Sequence, residues 1–464
     1  MPRTDKLLSA LWALALAATL WCVASMAFTS AYKAHPDEKD HVGAGQYYME
    51  YWDPPQPGDE RARGAYSNYG VSYLHQLDAV YFFAGKFARL VKPLAGEDYL
   101  ALRLFNVGLF ALLMALCWRL PVRYRVGVLP LFISPQGWYV FSYFNGDALP
   151  LALSFITVYL LAGLLRDEAP RAGAGTGEPA VSMGHAGQGV LAAQAGQTRR
   201  LLLLGATLGM LSISKQNYYV YLAYFVAFWG LGVWQSRQRP VLPLPSMRQA
   251  GLALALAVAI FGVRYGVHAW VVRDQAPDVV AKVAEKFAAE EFKPSKQEKG
   301  EGFWGARMRS KGVTLVEMFT GEWKWHVFTF RSAFGKYGGM EIEAPLIFYR
   351  YIGWVFWAFM ALLAANMAVG GRQAREAWGL WLVFSLLTVG QSLWHSWTAD
   401  FQSLGRYLFP ILAMTACLMT RFSSGDPANL TVARLRLGLW GLGLTLWGMS
   451  LWSFVAVGLA RIPR

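Results

Sequence analysis

Charged residues are scarce in this chain. Asp, Glu, Lys and Arg make up 16% of its 464 residues, against about 25% in an ordinary soluble domain. A soluble chain of this length would form two or three domains, and these charges are too few to cover their surfaces. Cysteine is nearly absent as well. Cys22, Cys117 and Cys417 all sit inside apolar runs, and an odd number of such thiols argues against a disulfide-stapled scaffold. With 55% hydrophobic residues the chain is neither disordered nor collagen-like. Long apolar stretches fill it instead, with 20 tryptophans and a mean hydropathy of +0.29. The composition predicts an all-α integral membrane protein.

A helix crosses a bilayer with about 20 apolar residues. Eleven candidate transmembrane helices follow, at 7–28, 100–118, 126–141, 148–165, 201–214, 218–234, 250–271, 346–369, 377–397, 404–420 and 437–460. The first exceeds the roughly 7–15 apolar residues of a secretory signal, so it is expected to stay as an anchor. With the N-terminus cytoplasmic, the inner segments carry seventeen Lys and Arg against six Asp and Glu. That excess obeys the positive-inside rule and accounts for most of the net charge of +14. The basic balance is therefore a topology signal, and no nucleic-acid partner is expected.

This topology divides the chain into an anchor helix (1–28), an outer loop (29–99), spans over 100–271, a second outer loop (272–345) and C-terminal spans (346–464). Residues 169–197 lack apolar periodicity and read as a flexible cytoplasmic linker. Residues 71–91 repeat apolar positions at helical spacing but include His75, Asp78, Lys86 and Arg89. They predict a helix lying on the membrane surface. The second outer loop opens with a charged helical pattern at 278–292. It continues into a stretch where Trp304, Trp323 and Trp325 alternate with Lys and Arg, the chemistry of the headgroup zone.

Ionisable residues within spans concentrate on one side. Arg103, Arg264, His268, Arg350, His395 and Arg406 all fall in the outer parts of their helices, with Lys215 just beyond the fifth span. Snorkelling of a basic side chain explains any one of them. Seven on the face that the positive-inside rule leaves poor in cations point to a cationic cavity for a lipid phosphate. Directly after the first span runs His35-Pro36-Asp37-Glu38-Lys39-Asp40-His41. Pro36 blocks helix continuation, which puts Asp37 and Glu38 in a turn at the membrane surface. A carboxylate there can take the proton of an attacking hydroxyl; the alternative is a solvated loop. His35, Asp37, Asp40 and His41 also offer ligands to a divalent metal. Their spacing matches no closed zinc pattern, and the reading requires no cofactor. Two more polar clusters, Asn145-Gly146-Asp147 and Asp400 to Tyr407, project outward at span junctions. Helix capping by Asn145, Asp147 or Ser403 is their plainer explanation, and it leaves Arg406 unaccounted for.

These pieces come in a familiar order. The Pro-Asp-Glu-x-x-His loop is followed by Tyr69 and Tyr73, Arg103 in Ala-Leu-Arg-Leu-Phe-Asn, and Pro135 before Asn145-Gly146-Asp147. Ser214-Lys215, Phe334-Gly335 and Gly405-Arg406-Tyr407 complete the set. The pattern resembles a family of uncharacterised bacterial membrane proteins that open with Pro-Pro-Asp-Glu-x-x-His and close with Gln-Gly-Arg-Tyr. That family looks like a branch of the GT-C glycosyltransferases. Here His35 replaces the first Pro, Leu404 the Gln, and Lys336 an aromatic after Phe334-Gly335.

The resemblance implies a GT-C-like helix bundle in the bacterial inner membrane, with interfacial helices in both outer loops. It would transfer a sugar from a polyprenyl-phosphate donor to a glycan or glycolipid acceptor of the cell envelope. Asp37 would be the base, with Glu38 beside it. Arg406 and Lys215, joined by Arg264 and Arg331, would hold the donor phosphate; His41, Arg103, Asp147 and Tyr407 would contact substrate. A transporter or flippase of lipid-linked solutes, and a polysaccharide ligase or polymerase, are the rival functions. No internal repeat of the transporter kind is visible.

Overall fold

The computed structural model describes residues 2–75, 79–166, 183–236, 245–273, 278–298, 307–422 and 430–464. The α-helices of eight residues or more are numbered in chain order. They are α1 (Pro2–Thr29), α2 (Glu38–Glu50), α3 (Ala79–Ala95), α4 (Asp98–Arg119), α5 (Ala148–Arg166), α6 (Met183–Ser212) and α7 (Tyr219–Ser236). Then come α8 (Met247–Val272), α9 (Val279–Phe287), α10 (Trp325–Gly335), α11 (Leu346–Val369), α12 (Gly371–Thr398), α13 (Phe409–Phe422) and α14 (Leu430–Trp452). The strands among the described residues are the two-residue pair Lys336–Tyr337 and Ile342–Glu343. Seven helices among the described residues are long and apolar enough to cross a membrane, and they lie in α1, α4, α5, α8, α11, α12 and α14. The fold is all-α, of the multi-pass membrane kind.

One expected span is not a regular helix. Residues 126–141 fall in a 3₁₀ helix, Val122–Leu131, then a turn and the four-residue helix Gln136–Tyr139. Pro121, Pro130 and Pro135 explain this, because each lacks the N–H that an α-helix needs. Every residue from Tyr124 to Pro150 is buried. Irregular backbone at membrane depth is tolerated only inside such a protein sheath. Around it pack α13, with Thr420 against Gly127, and α14, where Gly443 meets Leu129 and Ser450 Oγ donates to the Ile133 carbonyl at 2.9 Å.

Other boundaries moved as well. Residues 183–197, expected as part of a flexible linker, belong to α6. Ala and Gln are good helix formers, and extending an existing helix costs far less than starting one. Residues 169–182 lie outside the described residues, as do Asp78 and Trp304. Within the surface helix expected at 71–91, the described residues form the 3₁₀ turn Tyr73–His75 and α3. It packs on α2 and α4, burying Val80, Tyr81, Ala84 and Ala88. The segment at 404–420 opens with the 3₁₀ turn Gly405–Leu408, and α14 ends in a π-helical turn, Ser453–Leu459. Of the helical pattern expected at 278–292, Val279–Phe287 forms α9, the chain is extended at Ala288 and Ala289, and Glu290–Phe292 is a 3₁₀ turn.

Helix α8 buries no residue and leans on α6. Gly205 and Gly209 of α6 meet Ala253 and Ala257 of α8 so closely that a Cβ on either glycine would collide with backbone at 2.2 to 2.9 Å. Small residues four apart on both partners allow this approach.

The bundle has two chemically distinct ends. At one, Arg125 Nη1 donates to Ser9 Oγ at 3.3 Å, Arg436 Nη2 to the Arg123 carbonyl at 2.7 Å, and Arg421 Nη2 to Gln235 Oε1 at 2.8 Å. At the other, the two long segments expected outside cover the helix ends together. Tyr66 stacks on Phe287 at 4.3 Å, and the Ala289 N–H donates to the Asn68 carbonyl at 2.9 Å. The two-ended arrangement predicts that, in a background with Cys22, Cys117 and Cys417 replaced by Ala, single cysteines at Lys39 and Glu290 react with an impermeant maleimide from one side of the membrane. A cysteine at Arg372 should react from the other. Labelling of all three from one side would overturn the arrangement.

Candidate functional site

The segment following α1 is shaped by a buried ion pair. Arg103, on the first turns of α4, donates from Nε to Glu38 Oε1 at 2.6 Å and from Nη2 to Glu38 Oε2 at 2.8 Å. Its remaining N–H groups reach the carbonyls of Ala27, Ser30 and Ala31 at 2.7 to 2.9 Å. The last carbonyls of any helix lack intrahelical donors, and here a guanidinium supplies them. Both side chains are essentially unexposed, at 1% and 0%. His35 is equally occupied. Its Nε2 pairs with Ser30 Oγ at 2.7 Å and its Nδ1 with Tyr139 Oη at 2.8 Å, while the ring stacks on Tyr143 at 4.6 Å. The metal-ligand set His35, Asp37, Asp40 and His41 therefore does not converge. Among the described residues no group of three or more His, Cys, Asp or Glu side chains is placed to hold a metal ion.

Asp37 precedes α2 in the left-handed region, at φ 57°. Asp tolerates that conformation better than most residues, and it turns the carboxylate away from Glu38 into a cavity of about 740 Å³. This cavity gathers residues far apart in sequence: Asp37, Asp40 and His41 from the first long segment, Asp147, Lys215, and Arg406 with Tyr407. Arg406 is 8% exposed and donates from Nη2 to Asp37 Oδ2 at 3.0 Å. Its Nε lies 3.9 Å from Asp147 Oδ2, and Lys215 Nζ donates to Asp147 Oδ1. Arg406 Nε and Nη1 are buried without a hydrogen-bond partner.

Capping separates the Asn145-Gly146-Asp147 cluster. Asn145 Oδ1 accepts from the N–H groups of Asp147 and Ala148 at 2.8 and 3.2 Å, so Asn145 caps α5 and Asp147 is left to face Lys215. Gly405 fixes the other side. Its N–H donates to Ser332 Oγ at 2.6 Å, and a Cβ there would lie 2.5 Å from that of Ala333. Only glycine lets α10 approach the Arg406 turn this closely.

Electrostatics separate the cavity's acids. Asp37 exposes 47% of its side chain, yet it sits in a recess. Burial opposes its ionisation, but the charges of Arg406 and Lys215 and the hydrogen bond from Arg406 outweigh burial and hold the carboxyl below the ordinary carboxylate value. Asp40, one turn along α2, is pushed up to about 6 by burial and by the charge of Asp37. No hydrogen bond or ion pair engages the Asp40 carboxylate among the described residues. Asp400 is engaged twice, accepting from Tyr69 Oη and from Gln402 Nε2, each at 2.7 Å. His41 is pushed down to about 3, chiefly by burial, so its imidazole is neutral. It stacks on Tyr73 at 4.3 Å, and its Nδ1 pairs with Tyr81 Oη at 2.8 Å.

Of the residues singled out in the sequence, Asp37, His41, Asp147, Lys215, Arg406 and Tyr407 line one cavity. Glu38 and Arg103 do not, because they are spent on each other. Arg331 lies over the Tyr349 ring at 5.6 Å and is not part of the cavity wall. Arg264 lines a separate cavity of about 330 Å³ with His75 and His268, which shares Gln216 with the larger one. Asp40 entered the sequence reading only as a candidate metal ligand, and the wall residues Asn217 and Ser392 carried no role in it. For Asp40 a signal existed: it stands three residues after Asp37, one helical turn on. Compared with protein-family models and with curated proteins, the chain matches none.

The Glu38–Arg103 pair generates a stability prediction. Arg103→Ala strands a buried carboxylate and should cost about 3–5 kcal/mol, seen as a lower unfolding temperature in detergent. Replacing both partners, in Glu38→Gln with Arg103→Met, should recover much of that loss. An unchanged unfolding temperature in Arg103→Ala would show that the pair holds nothing in place.

Proposed function

We propose that the protein is a membrane glycosyltransferase of GT-C type, moving a sugar from a polyprenyl-phosphate donor to a cell-envelope acceptor on the outer face of the bacterial inner membrane. The observation that carries this reading is Arg406. A guanidinium on a cavity wall, held by Asp37 and approached by Asp147, with Nε and Nη1 short of a close hydrogen-bond partner, suits a phosphate oxyanion better than any neutral ligand. Lys215, bound to the same Asp147 that Arg406 approaches, adds a second positive charge at that point. The ordered motifs shared with the GT-C-like family support the same reading.

The reaction is a displacement at the anomeric carbon. The acceptor oxygen forms a bond to that carbon as the bond to the lipid phosphate breaks, its electron pair leaving with the phosphate. The acceptor's proton passes to a carboxylate. Asp40 suits this role because it is uncommitted, faces the cavity and is matched to a neutral working pH. Asp37 then acts through Arg406, holding the guanidinium in place until phosphate arrives. The leaving phosphate needs charge stabilisation rather than a proton, which the two cations supply.

Four variants test this with radiolabelled polyprenyl-phosphate sugars in membranes. Arg406→Ala should weaken donor binding by about 2–5 kcal/mol, and Arg406→Lys should restore only part. Asp40→Asn should lower kcat by about 10²–10⁴-fold with donor binding intact, and Asp37→Asn should lower it less. The reverse ranking would make Asp37 the base. Wild-type transfer should also fall as pH drops through about 6, since protonated Asp40 accepts nothing. The groups around it are Asp37, Lys39, His41 and Tyr73. Asp40→Asn should abolish that limb of the profile. A transporter would give no glycosyl product with any donor and acceptor.

A further inference from the structure

The large cavity's lining is chemically uneven. Asp37, Asp40, Asp147, Lys215 and Arg406 carry charges. Neutral polar residues line it too: Gln216 and Asn217 follow Lys215 in the turn between α6 and α7, and Thr388, Gln391 and Ser392 come from the last turns of α12. The Asn217 carboxamide buries both its Nδ2 and its Oδ1 without a hydrogen-bond partner. Ser392 is 8% exposed, and its Oγ is equally unpartnered. On α12, Thr388 Oγ1 donates back to the Phe384 carbonyl and Thr398 Oγ1 to that of Trp394, each at 2.8 Å. A helical hydroxyl normally does this. Ser392 does not, and a buried polar group left unpaired is costly. Ser385 Oγ is unpartnered too, but Ser385 does not line the cavity.

We infer that Asn217, Gln391 and Ser392 form the subsite for the donor's sugar ring and that it selects an uncharged sugar. This rests on the glycosyl-transfer reading above. The chemistry of the unpartnered atoms sets the ligand class. A carboxamide presents a donor and an acceptor side by side, and a serine hydroxyl is both at once. A sugar hydroxyl, itself donor and acceptor, satisfies each of them. A phosphate or carboxylate offers acceptors only and would face Asn217 Oδ1 with a like charge. An ammonium offers donors only and would leave Asn217 Nδ2 unpaired. Position agrees as well: Asn217 stands two residues beyond Lys215, so the neutral polar residues begin next to a phosphate-binding cation. Trp394 lines the same cavity and adds an aromatic surface of the kind on which the apolar face of a sugar ring packs.

The test is binding to the full-length protein in lipid nanodiscs, with three kinds of probe. These are bare polyprenyl phosphate, polyprenyl phosphate carrying glucose, galactose or mannose, and polyprenyl phosphate carrying an amino sugar. Wild-type protein should bind one neutral-sugar lipid more tightly than the bare lipid. Asn217→Ala with Ser392→Ala should lose about tenfold of that advantage while binding the bare lipid as wild type does. Ser392→Ala alone removes one oxygen from a helix and should show part of the loss in protein of unchanged unfolding temperature. Retention of the full advantage in both variants overturns the inference. So does an equal loss for the bare lipid, which would make this a phosphate subsite, or an advantage confined to the amino-sugar lipid. Each of those outcomes leaves the transferase reading standing. If wild type binds neither the bare lipid nor any sugar-bearing one, the transferase reading fails and this inference falls with it.

Discussion

The Arg103 guanidinium, buried where α1 ends, is the constraint on which the candidate site depends. It satisfies the open carbonyls of Ala27, Ser30 and Ala31, complements the negative end of the α1 dipole and takes both oxygens of Glu38. With Glu38 fixed, the chain must reverse direction over a few residues, and Asp37 adopts the left-handed conformation that makes this fit. That fixes the start of α2, and with it the side from which Asp40 and His41 enter the cavity. A desolvated ion pair of this kind adds little net stability compared with apolar packing. What it contributes is a unique path for the chain between the first helix and the site.

The cavity is arranged around shared counter-charges. Asp37 and Asp147 sit against Arg406 and Lys215, so the cations are neutralised while no phosphate is bound. On the proposed reading, an arriving phosphate would compete with Asp37 for this guanidinium, whose Nε and Nη1 lack a close hydrogen-bond partner. It would then dock without first breaking every existing contact. The price of this arrangement is that four acids, counting Asp40 and Asp400, face two cations. On the proposed reading, donor affinity would depend on geometry more than on net charge, and a lysine in place of Arg406 would lack the planar fork that provides it.

Much of this was legible in the sequence, and the failures have physical reasons. The helical class followed from apolar run lengths alone. Asp37, Asp147, Lys215 and Arg406 were recognisable because each is ionisable, borders an apolar run and falls on the same side in an alternating topology. Glu38 was not separable from Asp37, since adjacent residues at a helix start point about 100° apart and nothing local says which faces inward. The expected topology put Arg331 and Arg264 on the same side as the site, yet they do not share the cavity, because a side of a membrane is a plane and a site is a point. Asn217 and Ser392 give no signal in the sequence: an amide and a hydroxyl become informative only once their lack of partners is seen. The segment at 126–141 misled because apolar content measures burial, and burial is the same for a regular helix and for a proline-broken one.

That broken segment bears on how the chain is made. A regular helix can leave the insertion machinery alone, since it carries its own hydrogen bonds into lipid. Residues 122–145 cannot, for they need side chains and backbone from other helices to shield them. The partners at Gly127, Leu129 and Ile133 are Thr420, Gly443 and Ser450, all synthesised about three hundred residues later. Throughout most of translation the third segment must therefore be sheltered by something other than its final neighbours, either the earlier helices α1 and α4 or an insertase. A ribosome that stalls before the last two helices would leave unpaired peptide groups facing lipid. Such a product is one that membrane quality control is built to find.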